Sequence, residues 1–202
     1  MDLDFEQRLR LEGYKTICGI DEAGRGPLAG PVCVAAVILP EDFNLPGLND
    51  SKKLSAKKRE ELFELIKLQA LAFNIVFVDE KTIDEINILK ATLLGMKQAK
   101  GGLKIKPDIV LVDGNAKPDL ECKTECIVKG DSKISSIAAA SILAKVARDK
   151  FMEELALKYP GYFFEKHKGY GTKEHCEVIN KLGICDAHRR TFCKKILGEN
   201  VI

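Results

Sequence analysis

Apolar positions along this chain follow two rhythms. Short runs of consecutive apolar residues, rich in branched side chains, alternate with longer stretches where apolar residues recur every three or four positions. Thr16 to Ile20 and Val32 to Leu39 are β-rich runs on either side of a glycine-rich turn, and they predict an antiparallel, hairpin-like pair. Pro40 to Ser51 reads as a long loop with Pro46, Gly47 and Asn49-Asp50 as its turn residues. Ser55 then caps a predicted helix running to about Leu71, with Leu62, Leu65 and Ile66 at helical spacing. Phe73 to Val78 predicts a strand, and Thr82 to about Lys100 an amphipathic helix stopped by Gly101-Gly102. Ile109 to Val112 is wholly apolar, suited to a buried central strand, and closes on Asp113-Gly114-Asn115. Glu125 to Val128 predicts another strand, leading into Lys129-Gly130-Asp131. A long helix is expected from Ser132 to about Leu157, where Ala138, Ala139, Ala140 and Ala144 permit close packing against a sheet. After Pro160-Gly161 comes a loop of glycine, aromatic and lysine residues, then two short helices, near Lys173 to Leu182 and His188 to Leu197.

Alternating helices and strands, with some strands adjacent, place the chain in the α/β class with a mixed sheet. Its 202 residues hold no internal repeat and no linker, so one domain over 1–202 is expected, with roughly 160–202 as a small C-terminal helical part. No apolar run approaches the ~18–20 residues that a membrane span needs. Met1 to Arg10 is heavily charged and lacks the basic-then-apolar plan of a secretion signal, so a cytoplasmic location is expected. Seven cysteines form no repeating framework and read as small buried hydrophobes in a reducing compartment. Cys176, Cys185, His188 and Cys193 include a Cys185-x-x-His188 spacing that zinc could use, but no paired C-x-x-C accompanies it.

Net charge is only +2, so its distribution carries more than its size. Basic residues bunch at Lys52 to Arg59, at Lys166 to Lys173 and at Arg189 to Lys195. Solvated helix faces account well for Lys57 to Arg59. Lys166-His167-Lys168-Gly169-Tyr170-Gly171, with its glycines and aromatic ring, has the composition of a phosphate-contacting segment.

Carboxylates stand where strands end or a helix begins: Asp21 and Glu22 after Gly19-Ile20, Asp113 after Val110-Leu111-Val112, and Asp131 ahead of the alanine-rich helix. Singly, each has a modest explanation, as a turn residue or, for Asp131, a helix N-cap. As a converging set of four they would repel one another unless cations lay between them. Oxygen-only ligands favour magnesium or manganese, and a pair of such ions suits phosphodiester hydrolysis.

Asp21-Glu22-Ala23-Gly24-Arg25-Gly26-Pro27-Leu28-Ala29-Gly30-Pro31-Val32 resembles the opening signature of the ribonuclease HII family. The family's later motifs follow in order: Asp50-Ser51-Lys52-Lys53-Leu54, then Val112-Asp113-Gly114-Asn115, then Lys129-Gly130-Asp131 with Ser136 to Asp149, and finally His167-Lys168-Gly169-Tyr170-Gly171-Thr172. Gly183 to Phe192 resembles the closing motif, without the proline before His188 and the serine before Phe192 that members commonly show. The resemblance implies a ribonuclease H-like fold with Asp21, Glu22, Asp113 and Asp131 binding Mg2+ or Mn2+ in a two-metal site. It implies that Gly24, Arg25 and Gly26 read the 2′-hydroxyl, partly through backbone groups, and that Tyr170 packs on the sugar beside the cut. Ser51, Lys52 and Lys53 become candidate phosphate contacts, and so do Lys145 and Arg148, which helix-surface solvation explains equally well. The implied substrates are RNA/DNA hybrids and duplex DNA containing ribonucleotides, cut on the 5′ side of the ribonucleotide to leave a 3′-hydroxyl and a 5′-phosphate. A monomer is the family's default. The type 3 relatives carry an added N-terminal domain, for which the stretch before Cys18 is too short.

Two other classes fit the same residues less well. An actin-like kinase would need a second lobe and a second glycine-rich phosphate turn. A binding module without catalysis would be better served by fewer negative charges facing phosphates.

Overall fold

The computed structural model describes residues 3–48, 51 and 54–198. Its core is a five-stranded sheet of β1 (Ile17–Ala23), β2 (Val32–Ile38), β3 (Ala72–Val78), β4 (Ile109–Asp113) and β5 (Lys123–Ile127) in the order β3-β2-β1-β4-β5. The first three strands pair antiparallel, whereas β1, β4 and β5 run parallel, so the sheet is mixed as expected. β2 is buried at every position, and β4 at every position but Asp113. Both faces of these strands are therefore covered, which explains why they read as unbroken apolar runs instead of alternating.

Helices supply the two covers. On one face lie α2 (Ala56–Gln69) and α4 (Ser135–Lys158), where Leu62, Ile66, Ala139 and Leu143 pack on Cys33, Ala35 and Val37. On the other lies α3 (Glu80–Gly101), where Met96 and Ala99 meet Ile20, Val34 and Ala36. The alanine face of α4 comes very near β1. A Cβ on Gly19 would stand 2.2 Å from the Ser136 carbonyl carbon, so only glycine fits there.

Several boundaries differ from the sequence reading for identifiable reasons. β1 extends to Ala23, so Asp21 and Glu22 belong to the strand and not to the turn after it. α3 begins at Glu80, because the Asp79 carboxylate accepts the Thr82 N–H at 2.8 Å and caps the helix. The same helix is interrupted at Asn87 (φ 67°), whose side chain accepts from Lys90 N–H and caps the second segment. The alanine-rich helix starts at Ser135 and not Ser132. Asp131 is thus no N-cap; it sits in a short 3-10 turn, Gly130–Ser132.

The N-cap of α4, Ile134, has no capping side chain, and its help comes from elsewhere. Glu6, on the N-terminal helix α1 (Leu3–Leu11), accepts from both the N–H and the hydroxyl of Ser136. Local pattern did not predict α1.

The C-terminal part contains α5 (Phe164–His167) within the expected loop, then α6 (Lys173–Leu182) and α7 (Arg190–Leu197). The first turn of α7 donates Arg190 N–H and Thr191 N–H to the Asp84 carboxylate on α3. Tyr162, Phe164 and Ala187 pack against Met152 of α4 and Ala29 of the β1–β2 loop. All seven cysteines are free, and no helix of the described residues is long and apolar enough to cross a membrane.

Candidate active site

The site lies where β1 and β4 end side by side. Their parallel register sets Ile20 opposite Val112, so Asp21 and Asp113 are the next residues on neighbouring strands, which run about 4.8 Å apart. Asp113 Oδ1 accepts the Gly130 N–H at 2.6 Å and the Asp131 N–H at 3.4 Å. The 3-10 turn bearing Asp131 is thereby fastened to the end of β4. Lys129, held in the left-handed region at φ 57°, makes the sharp entry into that turn.

Asp21 is 5 % exposed. Its Oδ1 accepts the Glu22 N–H at 2.7 Å, and the Ser141 hydroxyl from α4 bonds the same carboxylate. Burial raises the Asp21 pKa well above the ordinary carboxylate value, and the negative charges of Glu22 and Asp113 push it further. A divalent cation would relieve both effects, so the donor set fits such an ion. Among the described residues no three or more histidine, cysteine, aspartate or glutamate side chains are grouped closely enough to hold a metal ion by themselves. Magnesium uses few protein carboxylates and keeps positions for water and phosphate oxygens.

Beside Asp21 and Glu22 opens a cavity of about 270 Å³, walled by Gly24, Arg25, Gly26, Ser51, Ser141, Lys145 and Tyr170. Most of the residues singled out from sequence therefore meet in one place. Lys52 lies outside the described residues, as do Asn49, Asp50 and Lys53. Glu22 pairs with Arg25 at 3.3 Å, and Ser51 Oγ lies 2.9 Å from Ser141 Oγ. Lys145 reaches Asp149 at 2.7 Å on the same wall. Tyr170 is 43 % exposed, with its ring close to Gly26: a Cβ there would lie 4.0 Å from Tyr170 Cε1. A larger hollow of about 630 Å³, near Leu157 and Phe163, is far from the carboxylates, and its Glu153, Glu154 and Glu165 would repel phosphates.

Arg148 corrects the sequence reading. Neither solvated nor free to reach a phosphate, it is buried, donating to the carbonyls of Ala29, Pro31 and Lys168 with its guanidinium 5.9 Å from the Tyr170 ring centre. Ser141 was missed as a partner of Asp21, although one signal existed: it is a polar residue inside an otherwise apolar helix face.

Strand-end acids on a mixed sheet covered by helices, beside a glycine-rich loop and a basic wall, describe a ribonuclease H-like nuclease. The family model for ribonuclease HII matches residues 18–195, and the chain belongs to that family of metal-dependent ribonuclease H-type hydrolases. It is 57% identical over 195 residues to ribonuclease HII of Caldicellulosiruptor bescii, covering 96% of this chain and 95% of that one. The fold resembles the crystal structure of ribonuclease H2 from Pyrococcus horikoshii OT3 (TM-score 0.76, 29% identity, 90% of this chain and 96% of that one). It also resembles Bst-RNase HIII in complex with Mn2+ (TM-score 0.69, 19% identity, 92% and 70%), a likeness of fold alone.

Proposed function

We propose that this enzyme cuts duplex DNA on the 5′ side of embedded ribonucleotides, as well as the RNA strand of RNA/DNA hybrids, leaving 3′-hydroxyl and 5′-phosphate ends. Such an activity would remove misincorporated ribonucleotides and RNA primers. It would act as a cytoplasmic monomer with one catalytic domain. The observation that carries the reading is the neighbouring Asp21 and Asp113 at the ends of parallel strands, with the Asp21 pKa raised by burial and by adjacent acids.

Asp21, Glu22, Asp113 and Asp131 would hold Mg2+ or Mn2+; Bst-RNase HIII, of the same fold, has been crystallised with Mn2+. Bound there, the ions would activate water and balance the charge of the leaving oxygen. The protein's own part is positioning. Ser141 and the Glu22 N–H fix the Asp21 carboxylate, while Gly130 and Asp131 N–H groups fix that of Asp113. Gly24, Arg25 and Gly26 would sense the 2′-hydroxyl through backbone groups, with Tyr170 packing against the sugar. Ser51, Lys52 and Lys145 would contact phosphates, which position the duplex without reading its sequence. No histidine base is required, and the three histidines lie together elsewhere, behind the Tyr170 segment.

The test is cleavage of a labelled DNA duplex carrying one ribonucleotide, with Mg2+, with Mn2+ and with chelator, beside an Asp113→Asn variant. Metal-dependent scission 5′ of the ribonucleotide, lost in the variant, is the expected result. An intact duplex with either ion would remove the proposal of cleavage at single ribonucleotides.

A further inference from the structure

Arg189 immediately precedes α7, and its side chain is fully buried, at 0 % exposure. Its hydrogen-bond acceptors are backbone carbonyls, all on the β1–β2 loop. Nε donates to Gly30 O at 2.9 Å, one terminal nitrogen to Arg25 O at 2.9 Å, and the other to Gly24 O at 2.6 Å. The main chain around it is stitched to the same loop, with Arg189 N–H donating to Leu28 O and Gly30 N–H to Ala187 O. Arg148 serves the far end of the loop through Ala29 and Pro31.

Burying a guanidinium is costly unless its donors are well satisfied. Here all three recorded bonds fix one short segment instead of the helix that carries the arginine. The consequence follows from peptide geometry. A trans peptide is planar, with C=O and N–H pointing in opposite directions. Holding Gly24 O and Arg25 O toward Arg189 turns the N–H groups of Arg25 and Gly26 away from it. Gly24, Arg25 and Gly26 line the cavity beside Asp21, and Arg189 does not. Gly24 itself has φ +94°, a conformation with little cost only for glycine, so the segment needs an outside restraint to keep one orientation.

We propose that Arg189 is a positioning residue for ribose selection: from behind the loop it presets the two peptide planes whose N–H groups face the ribonucleotide. This rests on the reading that Gly24, Arg25 and Gly26 sense the 2′-hydroxyl. A lysine keeps the charge but cannot span three carbonyls from one side chain.

The experiment compares wild type, Arg189→Lys, Arg189→Gln and Gly26→Ala, with Ile66→Ala as a control for general loss of core packing far from the loop. Three quantities are measured for each: kcat and KM on a duplex with one ribonucleotide, inhibition by the same duplex made wholly of DNA, and the rise in Tm on adding Mn2+. Arg189→Lys is expected to lose about 10- to 100-fold in kcat/KM, the scale on which small misplacements of reacting groups act. Inhibition by all-DNA duplex and the Mn2+ shift should stay within about twofold of wild type, because phosphate contacts and carboxylates are untouched. Arg189→Gln should show the same separation, and Ile66→Ala should not. Unchanged kcat/KM in both Arg189 variants, with Gly26→Ala impaired, would overturn the role of Arg189 alone. Unchanged kcat/KM in Gly26→Ala as well would overturn the loop reading and this inference with it. Equal losses in all three quantities would reduce Arg189 to a structural residue.

Discussion

The N–H of Gly130 donates to Asp113 Oδ1 at 2.6 Å, so the strand end that bears one acid also seats the turn that bears another, Asp131. An asparagine at position 113 retains an acceptor oxygen in this place while losing the charge. Asp113→Asn should therefore fold, with a melting temperature in chelator equal to or above wild type, since repulsion with Asp21 is removed. Its activity should fall by about 100-fold or more, the several kcal/mol that metal-assisted stabilisation supplies. Wild type should gain about 2.7 kcal/mol of apparent stability at Mn2+ a hundredfold above its dissociation constant. The variant should gain far less. Melting curves with and without Mn2+ check both statements, and an equal Mn2+ response in the two proteins would count against Asp113 as a ligand.

Gly19→Ala tests the approach of β1 to α4. The new methyl would meet backbone atoms of Ser136 and Ile137 at 2.2 and 2.4 Å, and backbone cannot swing aside as a side chain can. We expect a loss of about 3 kcal/mol or more, toward the upper end for overpacked cores. Activity should fall with it, because Asp21 lies two residues further on the same strand. Urea unfolding measures the loss; a variant as stable as wild type would mean that the strand and helix yield easily.

Much of this architecture was legible in the chain because local pattern determines it. The apolar runs at Val32 and Ile109 became buried strands, and Ser55 caps α2 as its chemistry suggests, accepting from Lys58 N–H. The acids were legible as a set through their motifs, and Asp21, Glu22 and the Gly24–Gly26 loop do share one cavity. What escaped depends on partners distant in sequence. Arg148 read as a helix-surface charge or phosphate contact and Arg189 as one of a basic bunch, yet both are buried, with carbonyls of the distant β1–β2 loop among their acceptors. Glu6 capping α4 and Asp84 capping α7 are likewise invisible to any window along the chain. The closing motif lacks its usual proline, and His188 nonetheless bridges Ala29 and bonds His175.

Tyr170 separates recognition from stability. Tyr170 is 43 % exposed, so more than half of it is covered, and replacement by alanine should cost about 1–2 kcal/mol of folding free energy, a loss that bears on either substrate alike. If the ring packs on the sugar at the cut, Tyr170→Ala should lose activity on a single embedded ribonucleotide by about tenfold, the loss of one stacked contact of 1–3 kcal/mol. A long hybrid offers many registers and should suffer less. Parallel kinetics on the two substrates decide the matter, and equal losses would remove Tyr170 from junction recognition.

The three histidines give the fold a defined acid sensitivity. His188 Nε2 lies 3.1 Å from His175 Nε2, and the His175 ring stacks on His167 with centroids 4.2 Å apart. One pattern of neutral rings satisfies the shortest contacts of His175 and His188: His188 Nδ1 accepts from Cys185 N–H, its Nε2–H donates to His175, and His175 Nδ1–H donates to Tyr170 O. Burial, with the neighbouring His175 ring, holds the His188 pKa down to about 4, and burial lowers those of His167 and His175 as well. The unfolded chain therefore binds protons first, near pH 6.5, while the folded cluster stays neutral. Stability from the cluster is complete above pH 6.5 and is lost as pH falls toward 4, with His188 alone contributing about 3 kcal/mol over that window. Because His175 holds the Tyr170 carbonyl, the Tyr170 segment should loosen before the sheet does. Urea unfolding from pH 7.5 to 4.5 should show the decline, and His188→Asn should flatten it. A variant with the same slope as wild type would assign the acid sensitivity to carboxylates instead.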